Sequence, residues 1–269
     1  LFLMVVILMI RSITLPGAEK GISFLVKPDF SKITTQAVLA ALGQAFFSLS
    51  LGMGCMITYG SYIPRRENLN KLAFTTAMSD TLFAILAGLA IMPAVFSFGI
   101  SPQEGPGLVF IVLPRIFAQI PLGNIFAVMF YLILFIAAIS SAISLLEVVT
   151  AYITERLKMK RKAAVAIISA LVAVCASFSS LSQGVMQDVK ILGKTIFDFF
   201  DYLSANILLP LGGLSIVLFV GWYLKKTDIY DEFTNQGTHK GTLFRVYYFL
   251  IRYVAPIAIA AIFVDLIVR

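Results

Sequence analysis

The chain has 269 residues, of which 59% are hydrophobic and 13% are charged, and its mean hydropathy is +0.94. So few charges over so much apolar sequence exclude a soluble domain and indicate a protein that crosses a bilayer several times. The net charge of +7 does not indicate nucleic-acid binding, because the basic residues lie in short segments between apolar runs, where they set orientation in the membrane.

The first predicted element is a partial transmembrane helix at residues 1–14. The chain begins LFLMVVILMIRSI, an apolar run too short to cross a bilayer. We therefore expect the chain to start within a transmembrane helix and to lack the helices before it. A signal peptide is the alternative, but no convincing small-residue cleavage pattern follows.

The next apolar run, 35–63, contains GQAFFSLSLGMGCMITYGSY at residues 43–62, with serines and glycines in its middle. Non-helical backbone is stable at membrane depth only where it is buried in protein or lines a cavity. We predict a helix broken at 48–54, whose outer half offers carbonyl groups to Na⁺ or an ammonium group and whose inner half offers N–H groups. Close helix packing through small residues is the alternative explanation.

Further spans are predicted after the broken helix, at 72–98, 124–157, 163–181, 203–224 and 247–267. Between the first two, the stretch SPQEGPG and a short outer-loop helix at 108–120 are expected. Residues 225–246 are predicted to form a cytoplasmic loop. Lys and Arg are more frequent in the alternate set of connections that contains ERLKMKRK, which the positive-inside rule assigns to the cytoplasm.

Small and polar residues share one face of the predicted helix at 124–157. Ala137, Ser140, Ser141, Ser144 and Glu147 are spaced by three and four residues or fall next to one another on that face. Hydroxyls beside open carbonyls form a hard-oxygen surface that suits Na⁺ better than a transition metal. Small-residue packing, with serines bonded back to the helix backbone, remains the alternative.

Asp80, in TTAMSDTLFAIL, is an acid within a predicted span. Ionisable groups at membrane depth are costly and usually functional, so Ser79 and Asp80 indicate an ion site. A helix end near the membrane surface is the alternative. Asp198, Asp201 and Glu155 lie at the ends of spans, where solvated helix termini explain them.

Two function classes fit these residues: an ion-coupled carrier of small solutes and an ion channel. A channel repeats its filter by symmetry between subunits, whereas this chain carries different polar elements on different helices, which favours a carrier with one asymmetric site. An intramembrane enzyme is disfavoured, because the sequence contains a single His and no GxGD or GxSG motif.

GQAFFSLSLGMGCMITYGSY and SSAISLLEVVTAYI resemble the sixth and eighth helices of the neurotransmitter:sodium symporter (SNF) family, in its bacterial amino-acid-transporting branch. SPQEGPG…LPRIFAQI, DYLSANILLPLGGL and RVYYFLIRYVAPI are similar to its fourth outer loop and its tenth and eleventh helices. The resemblance implies an all-α polytopic integral membrane protein with a LeuT-like inverted-repeat fold, N-terminally truncated. The end of the fifth helix would lie at 1–14, the second repeat at 35–224 and the eleventh helix at 247–267.

The resemblance also implies the residues of the site. The substrate pocket would be formed by Phe47, Ser50, Met53, Ser141 and Leu145. One sodium site would use Ser48, Ser79 and Asp80, and the other the carbonyl of Ala137 with the hydroxyls of Ser140 and Ser141. The gates would be Phe47 as a lid, Asp201 on the outer side, and Tyr62 and Glu155 on the inner side. Half of each of the two sodium sites is expected in a first helix that this chain does not include.

The activity implied is sodium-coupled symport of a small hydrophobic or aromatic amino acid across the bacterial plasma membrane by alternating access. Its partners would be Na⁺, the amino acid and the lipid bilayer. An ion channel, or another carrier of the amino acid–polyamine–cation class, is the alternative. Asp80 could supply the negative charge that chloride supplies in chloride-dependent relatives, so no chloride requirement is expected. Met53 replaces an aromatic residue of some members and indicates a tolerant pocket, since Met side chains are deformable.

Overall fold

The computed structural model describes residues 1–27, 29–64, 67–100 and 107–268. The predicted outer-loop stretch at 101–106 and the basic pair at 65–66 lie outside these residues. Almost all of the ordered structure is helical, and a hairpin of two strands, each two residues long, is the exception.

The helices, most of which are apolar in composition, are connected by polar segments. They are α1 (Phe2–Ile13), α2 (Ala18–Val26), α3 (Thr35–Ser48), α4 (Cys55–Tyr62), α5 (Leu69–Ser97), α6 (Leu113–Phe117), α7 (Gly123–Arg156), α8 (Arg161–Leu181), α9 (Ile196–Asp201), α10 (Leu209–Leu218), α11 (Lys226–Thr234), α12 (Phe244–Phe249) and α13 (Ala255–Val268). The hairpin strands are β1 (Lys190–Ile191) and β2 (Lys194–Thr195), which pair antiparallel. Single π-helical turns lie at Leu108–Val112, Tyr202–Leu208, Phe219–Tyr223 and Leu250–Val254, and a 3₁₀ turn lies at Phe30–Lys32.

Five continuous helical segments within the described residues are long and apolar enough to cross a membrane, judged by length and composition. They are Leu69–Ser97, Gly123–Arg156, Arg161–Leu181, Ile196–Tyr223 and Phe244–Ile267. The last two begin seven and three residues before the predicted boundaries at 203 and 247. The remaining predicted span, 35–63, consists of α3 and α4 with residues 49–54 between them.

Two segments that lie between the predicted spans contain helices. Residues 16–34 include α2, which follows α1 at a bend of 119°. Residues 225–246 include α11, whose first turn contains Asp228 and whose C-cap residue, Asn235, has a left-handed backbone with a φ of 51°. An acid in the first turn and a left-handed residue just after the last are common at helix boundaries. The segment therefore forms a helix, but this helix is too short and too polar to span a membrane.

The chain divides into two compact units, which are considered separately. The first consists of Leu1–Ile33 with Thr75–Ala142. Its core is a cluster of aliphatic side chains that includes Val95 and Ile116, both fully buried. Beside Pro93, in α5, the amide of Ala94 donates to the buried Ser12 Oγ at 2.9 Å. This bond gives a buried backbone donor its partner at the point where proline interrupts the helical ladder.

The second unit consists of Thr34–Phe74 with Ile143–Arg269. Here α10 and α13 pack along each other, and α3 packs against α13. The start of α9 is fixed by Thr195, whose Oγ1 accepts from the amide of Asp198 at 3.2 Å and donates to its carboxylate at 2.7 Å. This reciprocal cap holds the hairpin against the first turn of the long segment that continues into α10.

Candidate functional site

The interruption between α3 and α4 is closed by a defined helix-ending motif. The amide of Leu51 donates to the carbonyl of Phe46 at 2.9 Å, and the amide of Ser50 donates to the carbonyl of Phe47 at 3.0 Å. Ser50 has a left-handed backbone with a φ of 53°. Together these bonds form the Schellman motif, which usually places glycine at this position, and a non-glycine residue there costs about 1 kcal/mol or more. The chain therefore leaves the helix at a fixed residue.

Glycines bring the segment 49–54 into backbone contact with α10. Gly52 has a φ of 84°, and a Cβ at this position would overlap the carbonyl oxygen of Leu209. A Cβ at Gly212 would in turn overlap the carbonyl oxygen of Gly52. The contact needs no side chain on either partner, so the interruption is held in place by α10.

The backbone amides of the interruption are available to a ligand. Among the residues that the structure describes, the N–H groups of Gly52, Met53 and Gly54 donate to no other group. The first turn of α4 follows directly, and its unpaired N–H groups and helix dipole favour a negatively charged group. The side chains of Ser50 and Met53 are half-buried, and Phe47 is 51% exposed. A small anionic group could therefore be bound here by peptide N–H groups.

Two tyrosines attach α4 to the second half of α7. Tyr59 Oη donates to Ser144 Oγ at 2.7 Å, and Tyr62 Oη donates to Glu147 Oε1 at 2.8 Å. The two pairs are each separated by three residues along their helices, so they stack as successive turns. Arg161, the first residue of α8, donates to Glu147 Oε2 at 2.6 Å and completes a Tyr–Glu–Arg cluster.

Glu155, the other residue predicted for the inner gate, is not part of this cluster, and its role at the gate stays a prediction. It is exposed, has no polar partner in the described part of the chain, and lies eight residues beyond Glu147 on the same helix, a rise of roughly 12 Å. Glu147 is the acid that Tyr62 contacts. The face pattern of α7 contained Glu147, but only the contact between helices shows which acid pairs with the tyrosine.

The predicted sodium ligands on α7 are partly in contact with one another. Ser140 Oγ donates to the carbonyl oxygen of Ala137 at 2.8 Å. Ser141 follows and is exposed, and Leu145 is 46% exposed one turn further on. A hydroxyl that donates its hydrogen to a carbonyl presents oxygen lone pairs to a cation, so this pair fits a hard-oxygen site.

The other predicted ligands lie on α3 and α5. Ser48 is the last residue of α3, while Ser79 and Asp80 are adjacent residues of α5, well inside its boundaries. Ser79 is exposed and Asp80 is half-buried. Asp80 is therefore a helix-interior acid and does not belong to a helix terminus.

Asp201, the predicted outer-gate acid, ends α9 and lines a polar cavity of about 460 Å³. Lys190 and Lys194 of the hairpin line the same cavity, and the Lys194 ammonium lies 4.8 Å from the centroid of the Tyr202 ring. The hairpin, which was not predicted, thus places two cations near the predicted gate.

The class of protein follows from three features together: helices that can span a membrane, an apolar helix interrupted by a segment with unpaired backbone amides, and a helix face that carries hydroxyl groups. These features define a membrane transport protein. The chain belongs to the Sodium:neurotransmitter symporter family, whose model matches residues 1–269. The resemblance predicted from the sixth- and eighth-helix motifs is confirmed, and the family is one of transporters rather than enzymes.

The chain is similar to two bacterial sodium-dependent transporters. It is 40% identical to YhdH of Bacillus subtilis over 99% of this chain and 59% of that protein. It is 41% identical to a sodium-dependent transporter of Haemophilus influenzae over 98% of this chain and 58% of that protein. The chain therefore spans about three fifths of the length of these relatives.

Among solved structures, the chain is similar to MhsT in complex with L-phenylalanine, with a TM-score of 0.87 and 43% sequence identity. The match covers 98% of this chain and 60% of MhsT. It confirms the predicted all-α, multi-pass membrane fold with the LeuT-like architecture.

The backbone contact between α10 and the segment 49–54 was not predicted from the sequence. Its signal was the adjacent pair Gly212–Gly213 inside the apolar run LLPLGGL, because small residues in a membrane helix often mark close backbone contact. Tyr59 and Arg161 were also not singled out, since neither a tyrosine in a small-residue run nor a helix-initial arginine is distinctive by itself.

Proposed function

We propose that the protein is a sodium-coupled symporter of a small hydrophobic or aromatic amino acid. The observation that carries the proposal is the interruption at 49–54, with unpaired amides at Gly52, Met53 and Gly54, in a member of a sodium symporter family. The similarity to MhsT in complex with L-phenylalanine supports an aromatic amino acid as substrate. Family membership favours this activity over the ion channel.

The substrate would be bound through its zwitterionic end by the interrupted backbone. Carbonyl groups at the end of α3 suit the ammonium group, and the N–H groups around Met53 suit the carboxylate. We propose that Phe47, Ser50 and Met53 form the pocket together with two residues of α7, Ser141 and Leu145. The exposed Phe47 ring is the aromatic surface that would close over the substrate.

Na⁺, as the co-transported ion, would be bound by oxygen ligands. We propose the carbonyl of Ala137 with the hydroxyls of Ser140 and Ser141 as one set of ligands, supported by the observed Ser140–Ala137 contact. The second set, proposed on the resemblance to the family, is Ser48, Ser79 and Asp80. Two ions are expected from these two sets.

The proposal that transport is independent of chloride is based on the carboxylate of Asp80. A fixed carboxylate in the interior of α5 offers a negative charge beside the predicted ion ligands, which would replace a bound anion. We therefore propose that transport does not require chloride.

The gates would act at the two ends of the pathway. On the outer side, Asp201 lies at the end of α9 with Lys190 and Lys194 around the same cavity. On the inner side, the Tyr62–Glu147–Arg161 cluster ties α4 to α7 and α8 and would have to open for release. We propose this cluster as the inner gate, with Glu155 as a further acid beyond it.

The proposed function is tested by uptake of labelled L-phenylalanine into proteoliposomes that contain the complete protein. We expect uptake above equilibrium when Na⁺ is higher outside, none when K⁺ replaces Na⁺, and unchanged uptake when gluconate replaces chloride. Leucine and tyrosine should compete, and glutamate should not, because the pocket residues Phe47, Met53 and Leu145 are apolar. Uptake that is independent of the sodium gradient would contradict symport, and a loss of uptake without chloride would contradict the role of Asp80.

A further inference from the structure

A cluster of aromatic and basic side chains, none of which belongs to the interruption at 49–54, lies at the junction of two spanning segments. We call it the aromatic–basic cluster. Its members are Trp222, Lys226, Tyr248, Arg252 and Tyr253. Trp222 is the next-to-last residue of the span Ile196–Tyr223, and Arg252 lies eight residues into the span Phe244–Ile267.

The backbone brings these side chains together through two π-helical turns, Phe219–Tyr223 and Leu250–Val254. At Gly221 the turns approach so closely that a Cβ would lie 3.0 Å from the Arg252 Cα. The indole Nε1 of Trp222 donates to the carbonyl oxygen of Arg252 at 3.0 Å. Single π-helical turns widen a helix locally and often occur at functional sites. Here they direct Arg252 toward the aromatic rings.

Three rings surround the Arg252 guanidinium. Its Cζ lies 4.7 Å from the ring centroid of Trp222 and 5.7 Å from those of Tyr248 and Tyr253. A second cation approaches the same cluster, because the Lys226 Nζ lies 5.3 Å from the Tyr248 centroid. Two positive charges therefore share one tyrosine ring.

The cations lack an anionic partner among the residues described. The guanidinium donates one hydrogen bond, from Nη1 to Tyr248 Oη at 2.8 Å, and its buried Nε has no acceptor. Neither Arg252 nor Lys226 forms an ion pair with a carboxylate in the described part of the chain. Cations that repel each other near the apolar part of a membrane are stabilised by a bound anion, and guanidinium groups match phosphate oxygens well.

We propose that the aromatic–basic cluster binds the phosphate of an anionic phospholipid headgroup. Trp and Tyr side chains at the ends of spanning helices lie at headgroup depth, and basic pockets between such helices bind anionic headgroups. An apolar cavity of about 420 Å³ is lined by Tyr247, Leu250 and Ile251 of the same helical segment, and also by Ser50, Gly52 and Gly54 of the interruption. Tyr247 and Ile251 are the chain neighbours of Tyr248 and Arg252, so this part of the cavity lining offers an acyl chain an apolar environment next to the cluster, which favours a lipid over a soluble phosphate.

The test is native mass spectrometry of the purified protein, titrated with dioleoyl phosphatidylglycerol or with dioleoyl phosphatidylcholine. We expect retention of phosphatidylglycerol and weak retention of phosphatidylcholine. Lys226→Gln removes an exposed lysine and should weaken phosphatidylglycerol binding about fivefold. Lys225→Gln is the matched control, because it removes the same charge from the neighbouring residue, which does not contact Tyr248, and it should leave binding unchanged.

Arg252→Gln should weaken binding at least as much as Lys226→Gln, and Arg252→Lys should retain most of it. Thermal unfolding without added lipid identifies any variant that fails to fold, and Lys226→Gln keeps the test independent of Arg252. Equal binding of the two lipids, or equal effects of Lys225→Gln and Lys226→Gln, would overturn the proposal. Displacement of the lipid by an equal concentration of glycerol 3-phosphate would assign the cluster to a soluble phosphate and also overturn it.

Discussion

Ser140 and Ser141 are the residues whose hydroxyls could bind a cation or merely allow α7 to pack closely. In the structure Ser140 Oγ bonds to the carbonyl of Ala137, a contact that many membrane-helix serines make. The same contact occurs at Ser177 of α8, whose Oγ donates to the carbonyl of Ala173 at 2.8 Å. The dependence of transport on Na⁺ concentration distinguishes a serine that binds the cation, as proposed for Ser140, from one that only bonds to its own helix, as at Ser177.

We expect Ser140→Ala and Ser141→Ala, in the complete protein, each to raise the Na⁺ concentration for half-maximal phenylalanine uptake by at least about tenfold. The reason is that each variant removes one oxygen ligand, and a hydrogen bond or equivalent contact to a charge contributes roughly 1.5–3 kcal/mol. Uptake measured over a range of Na⁺ concentrations gives the result. Ser177→Ala, which removes the same type of backbone contact, should not change the sodium dependence. Equal behaviour of all three variants would remove α7 from the sodium site.

Candidate residues for the site can be selected in part from single positions. Serines and an acid inside apolar runs stand out because polar groups are costly at membrane depth, and this singles out Ser140 and Asp80 as proposed ligands. The pairing of Tyr62 was not predictable, since Glu147 and Glu155 both follow on α7. The packing of α4 against α7 determines which of the two acids Tyr62 contacts. A Cβ at Gly54 would lie 3.1 Å from the Val148 side chain, so α4 contacts α7 beside Glu147.

The interruption is a property of several elements acting together. Sequence alone predicts that S-L-S-L-G-M-G weakens a helix, but it does not tell a broken helix from a tightly packed one. In the structure both features are present, because the left-handed Ser50 terminates the helical path just after α3, while Gly52 and Gly212 pack backbone to backbone. The close packing involves α10, which lies about 160 residues further along the chain, at a distance that local patterns do not reach.

Gly212→Ala tests whether α10 holds the interruption. The added methyl group overlaps the Gly52 carbonyl oxygen, and overpacking of this kind costs about 1–3 kcal/mol. We expect a lower unfolding temperature and at least tenfold weaker phenylalanine binding, as the segment 49–54 shifts. Gly60→Ala, in α4, adds a methyl group with no neighbouring atom within 4 Å and should leave both unchanged.

Thermal scanning in detergent and equilibrium binding of labelled phenylalanine give the two readouts. A Gly212→Ala protein with normal stability and normal binding would show that the interruption does not depend on its contact with α10.

For the molecule as a whole, composition and hydropathy were sufficient to predict the membrane class and most span boundaries to within a few residues. The hairpin at 190–195 and the helix α11 were not predicted, because both lie in polar connections where no hydrophobic period exists to reveal them. The aromatic–basic cluster depends on two π-helical turns, which leave no recognisable signature in the sequence.

Coupling is the property of the whole molecule on which the proposed function depends. If interrupted backbone and hydroxyl groups bind Na⁺ and a zwitterion as neighbours, each ligand must raise the affinity of the other by the same factor. If Na⁺ and the amino acid bound at the interruption without such coupling, the sodium gradient could not drive uptake of the amino acid.

The most direct measurement is isothermal titration of L-phenylalanine into the complete protein at a series of Na⁺ concentrations, with K⁺ keeping the ionic strength constant. We expect saturating Na⁺ to lower the phenylalanine Kd by about 5- to 150-fold, and saturating phenylalanine to lower the Na⁺ Kd by the same factor. A phenylalanine Kd that does not change with Na⁺ would contradict a shared site at the interruption.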